Sequence, residues 1–480
     1  MKFFFAFSIL IFIGLGSVGF AAVDKRIVEE RAATFVTVFN SQSEERISEF
    51  IEAYWIGGEE PAVVERAAMF LEIVFKDYGS IEKYQTKVIN NQAFHIIGKM
   101  SRTGKWMSFQ FGLSEDGAYR ILLGFFGIAV EPTFFPKGKI DSEEILERLD
   151  SLIVQLKTEE PFYGNVLIAR GDKPFYVRSE GLADVENNIP ITINSRFGMA
   201  SGSKMFTAVA IIKLVEKGSI NLDDTLAKHL PDFPDQNFAN TTTISELLSH
   251  TSGAGDYWDA AYEKVAGDFK IHNDYLPHII RNLNPKTKGQ FEYSNSGFLL
   301  LGLIIEAVSG KEYFEFLEEV LFTPLGMENT GPYKLGDPNY VKSYQALDEN
   351  GNRDSMSTKL FKPYGISSSA GGAYTTVHDI FAFGRALLGD SFLSPELKEI
   401  LMEPKVTFPG ATDRFYGSGF IINKENDLVE IGHGGRGPAS QFSFNIYPEK
   451  DLIYVVVSNF DSVGAHEIDM AIKSVIREKN

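Results

Sequence analysis

The sequence predicts an α+β fold in two parts: a small α+β domain, then an α/β sandwich whose sheet carries an inserted helical lobe. Three patterns predict it. Strand periodicity stands at both ends of the long second part, around Asn165–Arg178 and again from Tyr416 to Val457. Helical periodicity fills the stretch between them, from about Met205 to Leu401. Before Pro136, helices give way to alternating strands. One sheet built from two chain ends, with a helical lobe between them, leaves a cleft where a site is expected.

Taken in order, Lys2 precedes an apolar run from Phe3 to Val23, and Gly19 and Ala21 are small residues placed as in a cleavage site. Residues 1–21 are therefore expected to be a signal peptide and the protein to be secreted or periplasmic. The alternative is an uncleaved N-terminal membrane anchor, since the run is nearly long enough to span a bilayer. Residues 22–136 form the first domain. Ile27, Val28, Ala32, Phe35, Val36 and Phe39 share one helix face, and Ile47, Phe50, Ile51 and Tyr54 another. Met107, Phe109, Phe111 and Leu113 alternate with Ser108, Gln110 and Gly112, as in a half-buried strand, and Tyr119–Phe126 gives a second strand. This order, with its ending from Trp106 to Gly127, resembles the cone-shaped NTF2-like domains. The two prolines of 131–139 mark a linker.

Residues 141–480 form the second domain. Asp141 or Ser142 caps a helix whose Ile145, Leu149, Leu152, Ile153 and Leu156 face one way. Asn165–Ala169 and Phe175–Arg178 read as a hairpin around Arg170-Gly-Asp. Further strands are expected at Tyr416–Ile422, Leu428–Ile431, Gln441–Ile446 and Leu452–Val457, and a closing helix at Ala465–Arg477.

Composition narrows the function. The 480 residues carry 46 Lys and Arg against 64 Asp and Glu, a net charge of 46 − 64 = −18. Such a chain repels polyanions, which argues against nucleic acid or anionic membranes as partners. The Cys count is 0, so disulfides, thiol catalysis and Cys-ligated metals are excluded. The eight His show no metal-ligand spacing. Neither a metal nor an organic cofactor is expected.

Three stretches carry chemistry. Ser201 and Lys204 stand three apart where Ala208, Ile211, Ile212 and Val215 begin a helix. That spacing puts the ammonium beside the hydroxyl, at a helix end whose free N–H groups favour a developing oxyanion. The plain alternative is a capping serine with a solvated lysine. Tyr293 and Asn295 precede a helix from Leu299 to Val308, ended by Gly310. A phenol near an ammonium is expected to lose its proton readily and to exchange it with the serine; the alternative is a core tyrosine and an Asn turn. His433-Gly434-Gly435-Arg436 ends a strand, where paired glycines let a backbone approach a ligand. The alternative is a hairpin bend.

In this order the three stretches resemble the serine β-lactamase and penicillin-binding-protein superfamily, most of all its class C β-lactamase-like serine hydrolases. Leu248–Gly253, Pro324–Met327, Ser369–Gly372 and Asp379 also resemble that family's recurring segments. The resemblance covers about Asp141 to Lys479 and implies an antiparallel sheet flanked by helices. It implies Ser201 as nucleophile, Lys204 as its partner and Tyr293 as general base and acid. Asn295 would contact a substrate amide, His433, Gly434 and Gly435 would fall on the third motif, and the N–H groups of Ser201 and Arg436 would form the oxyanion hole. His250 is expected to be structural.

Many β-lactamases have Lys-Thr-Gly where this chain has His-Gly-Gly. A histidine is expected to be only partly charged near neutral pH, and Arg436 is the residue placed to replace the missing charge. The expected function is a secreted serine hydrolase acting on an ester or amide through a Ser201 acyl-enzyme, with a small-molecule or peptide substrate. A catalytically inactive sensor of β-lactams or cell-wall peptides is the alternative. Mass spectrometry of the exported protein is expected to show Ala22 as the first residue; a mature chain starting at Met1 would reverse the cleavage expectation.

Overall fold

The computed structural model describes residues 25–55, 57–90, 93–113, 120–129, 139–159, 161–334, 337, 339–346, 354, 356–361, 366–409, 411–425, 427–437, 439–461 and 464–477. The expected signal peptide and most of the expected linker lie outside these residues. Among the described residues, no helix is long and apolar enough to cross a membrane. The chain divides into two compact units, one of residues 1–148 with 408–413 and 470–480, the other of 149–407 and 414–469.

The first unit holds helices α1 (Lys25–Ser41), α2 (Glu44–Tyr54) and α3 (Pro61–Tyr78), then strands β1 (Ile81–Asn90), β2 (Ala93–Met100), β3 (Trp106–Leu113) and β4 (Ile121–Ala129). Ser43 caps α2 by accepting from the Arg46 N–H, and Pro61 starts α3, where its missing N–H costs nothing. The strands form an antiparallel meander in the order β1-β2-β3-β4. The apolar faces read from α1 and β3 meet in an aromatic core, with the Phe35 ring against Phe39, Phe50, Phe109 and Phe111. Sequence periodicity misses β1. Its Glu82, Lys83, Tyr84 and Gln85 are exposed, so the strand lacks an alternating pattern.

The second unit is built on an eight-stranded antiparallel sheet. Helix α4 (Glu143–Glu159) leads to β5 (Gly164–Arg170) and β6 (Lys173–Glu180), the expected hairpin. Helices α5 (Lys204–Glu216), α6 (Asn295–Ser309) and α7 (Val377–Leu388) come from the middle of the chain. Strands β7 (Val406–Thr407), β8 (Arg414–Tyr416), β9 (Ile421–Glu425), β10 (Leu428–Gly437), β11 (Ser440–Tyr447) and β12 (Leu452–Ser458) follow, and α8 (Gly464–Arg477) closes the chain. The sheet order is β7-β8-β9-β10-β11-β12-β5-β6, so the two ends of this region do share one sheet.

Two expectations change. Tyr416–Ile422 is two strands rather than one. Gly417 and Gly419 turn the chain between β8 and β9; Gly419 has φ +78°, and a Cβ there would lie 2.5 Å from the Ala208 Cβ. The strand expected to stop at Ile431 runs on to Gly437, so the glycine-rich segment is extended strand and not a bend.

Helix α5 is apolar nearly all round and is buried from Lys204 to Ile212. Beside it lies α6, capped by Ser294, whose hydroxyl accepts from the Gly297 N–H at 2.9 Å, and ended by Gly310 at φ +70°. At Gly164 the sheet tolerates no side chain: a Cβ would lie 1.8 Å from the Val457 carbonyl oxygen. Gly164→Ala is expected to cost about 1–3 kcal/mol through forced strand separation, read as a lower denaturant midpoint with the m-value unchanged.

Candidate active site

The site is assembled from several chain segments of the second unit that lie far apart in sequence. A short 3₁₀ turn, Ala200–Ser203, runs straight into α5. Ala200 is held at φ +44°, a left-handed conformation costly for a residue with a Cβ. The turn is pinned from several sides. The Met199 N–H donates to the Ala373 carbonyl at 2.8 Å, and the Gly372 N–H to the Ala200 carbonyl at 3.2 Å. The Ser203 hydroxyl donates to the Ala200 carbonyl and accepts from the Ala373 N–H, both at 3.0 Å.

Lys204 is fully buried one helical turn after Ser201. Its amine donates to the Ser201 hydroxyl at 3.2 Å, the Asn295 Oδ1 at 2.7 Å and the Ala370 carbonyl at 2.5 Å. All three acceptors are neutral. Burial strips the ammonium of water and lowers its pKa to about 7; the attraction of Asp256 opposes this and loses. Near neutral pH the amine is therefore split between its charged and free-base forms.

Tyr293 immediately precedes the Ser294 cap of α6. Its ring centroid lies 5.0 Å from the Lys204 amine, and its hydroxyl is near enough to Ser201 to feel that side chain electrostatically. The expectation of a readily ionised phenol is corrected here. Burial raises the Tyr293 pKa; the neighbouring Ser201 side chain lowers it less, and Asp256 raises it further. The resting tyrosine is a neutral phenol, and the lysine is the group poised near neutrality.

Asn295 opens α6. Its Oδ1 accepts from the Lys204 amine, and its Nδ2 donates to the Asp256 Oδ2 at 2.8 Å. One amide N–H remains for a substrate. Asp256, which sequence reading missed, also accepts from the Trp258 N–H at 3.0 Å. Its carboxyl pKa is raised by burial, against the pull of these donors and of Lys204. An aspartate after a Gly-Ala-Gly loop carries no motif of its own; only folding brings it to Asn295.

The glycines of β10 explain the closeness of that strand. A Cβ on Gly435 would lie 2.0 Å from the Met199 carbonyl oxygen and 3.1 Å from the Gly202 nitrogen. Strand β10 therefore lies directly against the turn that holds Ser201. From His433 to Gly437 it pairs with β11, whereas its pairing with β9 ends at Gly432. The segment beyond Gly432, lying against the Ser201 turn, is where a second oxyanion donor would stand. Gly434 and Arg436 are exposed on it.

His433 departs from expectation. It is buried, its Nδ1 donates to the Gly434 carbonyl at 2.5 Å, and its Nε2 accepts from the Tyr416 hydroxyl at 3.1 Å. Burial first, then the Lys204 charge, lowers its pKa to about 3. It is a neutral ring at pH 7, not a partial cation. His250 lies in the same wall, 4.3 Å from the Tyr293 ring and 4.4 Å from the Tyr416 ring between centroids. Its Nδ1 accepts from the Ser294 N–H at 3.0 Å, so it fixes the residue following Tyr293. Asp379 likewise organises backbone: its carboxylate accepts from the Asn329 N–H and the Thr330 hydroxyl, both at 2.8 Å.

A hydroxyl, an amine and a phenol sharing one buried cleft are the working parts of serine hydrolases. Comparison with known proteins gives the family. The Beta-lactamase family model matches residues 149–475, and the chain belongs to that family of serine hydrolases. Penicillin-binding protein 4* of Bacillus subtilis (strain 168) is 32% identical over 334 residues, which cover 64% of this chain and 71% of that protein. The penicillin-binding protein of Bacillus halodurans matches in structure with a TM-score of 0.61 and 32% identity, over 68% of this chain and 98% of that one. D-amino acid amidase from Ochrobactrum anthropi SV3, solved with L-phenylalanine amide, shares the fold at a TM-score of 0.58 and 22% identity, over 69% of this chain and 99% of that one.

The neutrality of His433 has a measurable sign. An unfolded histidine titrates near 6.5, so this ring adds stability that is complete above about pH 6.5 and is lost as pH falls toward 3. Nitrogen NMR is expected to show His433 as the neutral Nδ1–H tautomer from pH 8 down to pH 5; an imidazolium at pH 6 would contradict this geometry.

Proposed function

We propose that the protein is an exported serine hydrolase of the class C β-lactamase-like kind, cleaving esters or amides through an acyl-enzyme on Ser201. The observation that carries this reading is the buried Lys204 amine, hydrogen-bonded to Ser201 and held close to half-neutral at pH 7. In its free-base form the amine takes the Ser201 proton as Oγ bonds to the substrate carbonyl carbon. The carbonyl π pair moves onto oxygen, toward the N–H groups of Ser201 and Arg436. The intermediate then collapses, the bond to the leaving group breaks, and that group takes the Tyr293 proton, which the Lys204 ammonium replaces. Water releases the acyl group by the reverse proton path. No step requires a metal or an organic cofactor.

A neutral, internally bonded His433 offers a substrate carboxylate no cation at the third-motif position, so a carboxylate there has to rely on the exposed Arg436. Neutral acyl esters and D-amino-acid amides or peptides suit it better than the carboxylate of a β-lactam. Export is supported by the apolar run from Phe3 to Val23, with small residues at Gly19 and Ala21.

A fluorophosphonate probe is expected to label Ser201 and to leave Ser201→Ala unlabelled, with p-nitrophenyl ester turnover reduced by several orders of magnitude. The acylation rate is expected to rise with pH through about 7, as Lys204 loses its proton. Labelling of Ser201→Ala at another residue would refute the nucleophile. Labelling of the native protein without turnover would identify a sensor instead of a hydrolase.

A further inference from the structure

Behind Lys204 lies a buried polar network that no catalytic motif includes. The amine's third acceptor, the Ala370 carbonyl, belongs to a tight turn in which the Ser368 N–H donates to the Gly371 carbonyl at 2.8 Å. The backbone of the preceding residue is held at both its N–H and its carbonyl. The Ser369 N–H donates to His272 Nε2 at 3.1 Å, and the Ser369 carbonyl accepts from the Thr207 hydroxyl at 2.7 Å. Thr207 stands one turn beyond Lys204 on α5, and its oxygen also meets the Tyr313 hydroxyl at 2.6 Å.

Since His272 Nε2 accepts the hydrogen bond from the Ser369 N–H, Nδ1 carries the ring proton. Nδ1 faces the Glu306 Oε1 at 2.8 Å, an oxygen that also accepts from the Tyr313 N–H at 3.2 Å. His272 is buried. Gly302, in the middle of α6, lets the turn in: a Cβ there would lie 2.2 Å from the Ser369 hydroxyl oxygen and 3.4 Å from His272 Cε1. A glycine inside a helix costs about 1 kcal/mol, and here close packing requires it.

We infer that His272 and Glu306 are positioning residues for Lys204: by holding the Ser369 peptide they fix the Ala370 carbonyl that aims the lysine amine at Ser201. The inference rests on the reading of Lys204 as the base. Without that carbonyl fixed, the amine swings away from Ser201, and a displacement of about 1 Å costs up to about a hundredfold in rate. The ammonium also loses an acceptor, so the lysine titrates lower. Tyr293, Asp256, His250 and His433 surround the amine and are unaltered by this change, while Glu306 and Tyr313 face His272.

The test is a stopped-flow burst with p-nitrophenyl acetate on the full chain, where amplitude counts competent sites and rate constant reports acylation. His272→Gln places an amide oxygen near the position of Nε2; in His272→Asn the oxygen falls short. The Asn variant is expected to acylate about tenfold or more slowly, with KM nearly unchanged and the acid limb of its pH profile moved lower. The Gln variant is expected to stay within about threefold of the native rate. Equal rates and equal acid limbs for both variants and the native protein would overturn the inference while leaving Ser201 and Lys204 in place. Native-like acylation by Lys204→Ala would instead sink the base assignment. Should neither variant fold, proton NMR of the native protein decides: a Ser369 amide protected from exchange by its bond to His272 Nε2 supports the inference, and a freely exchanging Ser369 amide overturns it.

Discussion

The site depends on a lysine amine buried among neutral oxygens. A charged ammonium in such a place loses its hydration, and no carboxylate oxygen bonds to it directly. The balance drives its pKa to about 7, with Asp256 acting only through Asn295 and at a distance. A solvated lysine at the same spacing would be a permanent cation and a poor base. What makes the residue useful is its setting, and much of this unit serves to build that setting.

Three strained or crowded features follow from it. Ala200 takes a left-handed backbone so that Ser201 stands at the mouth of α5. Gly435 gives up its side chain so that β10 can lie against the Ser201 turn. Gly302 does the same in α6 so that the turn of Ala370 reaches the amine. Each is locally unfavourable and is offset by packing around it. His250 and His433 lie in the same wall as buried neutral rings, which bond backbone and hydroxyl groups and add no charge beside the amine.

The amphipathic faces of α1 and α2 and the alternation of β3 were legible in the sequence because each lies half in and half out of a core. Strand β1 was not, since its exposed residues carry no alternation. The hairpin of β5 and β6 and the sharing of one sheet by both ends of the second unit were legible from turn residues and apolar runs. The break between β8 and β9 was not: it follows from the packing of Gly419 against α5, which no local pattern reports.

The same division holds at the site. Ser201, Lys204, Tyr293, Asn295 and the glycines of β10 were candidates in the sequence through their places at helix starts and a strand end, and through the family resemblance of the three stretches in that order. Asp256, Tyr416, His272 and the Ala370 carbonyl were not, since each enters through a contact between segments far apart in the chain. The charge states were also beyond the sequence. It supplied a phenol expected to ionise and a histidine expected to be partly charged, and folding gave a neutral phenol and a neutral ring. Residue type and spacing determine which groups can react; burial and hydrogen bonding, which exist only in the folded chain, decide where their protons are.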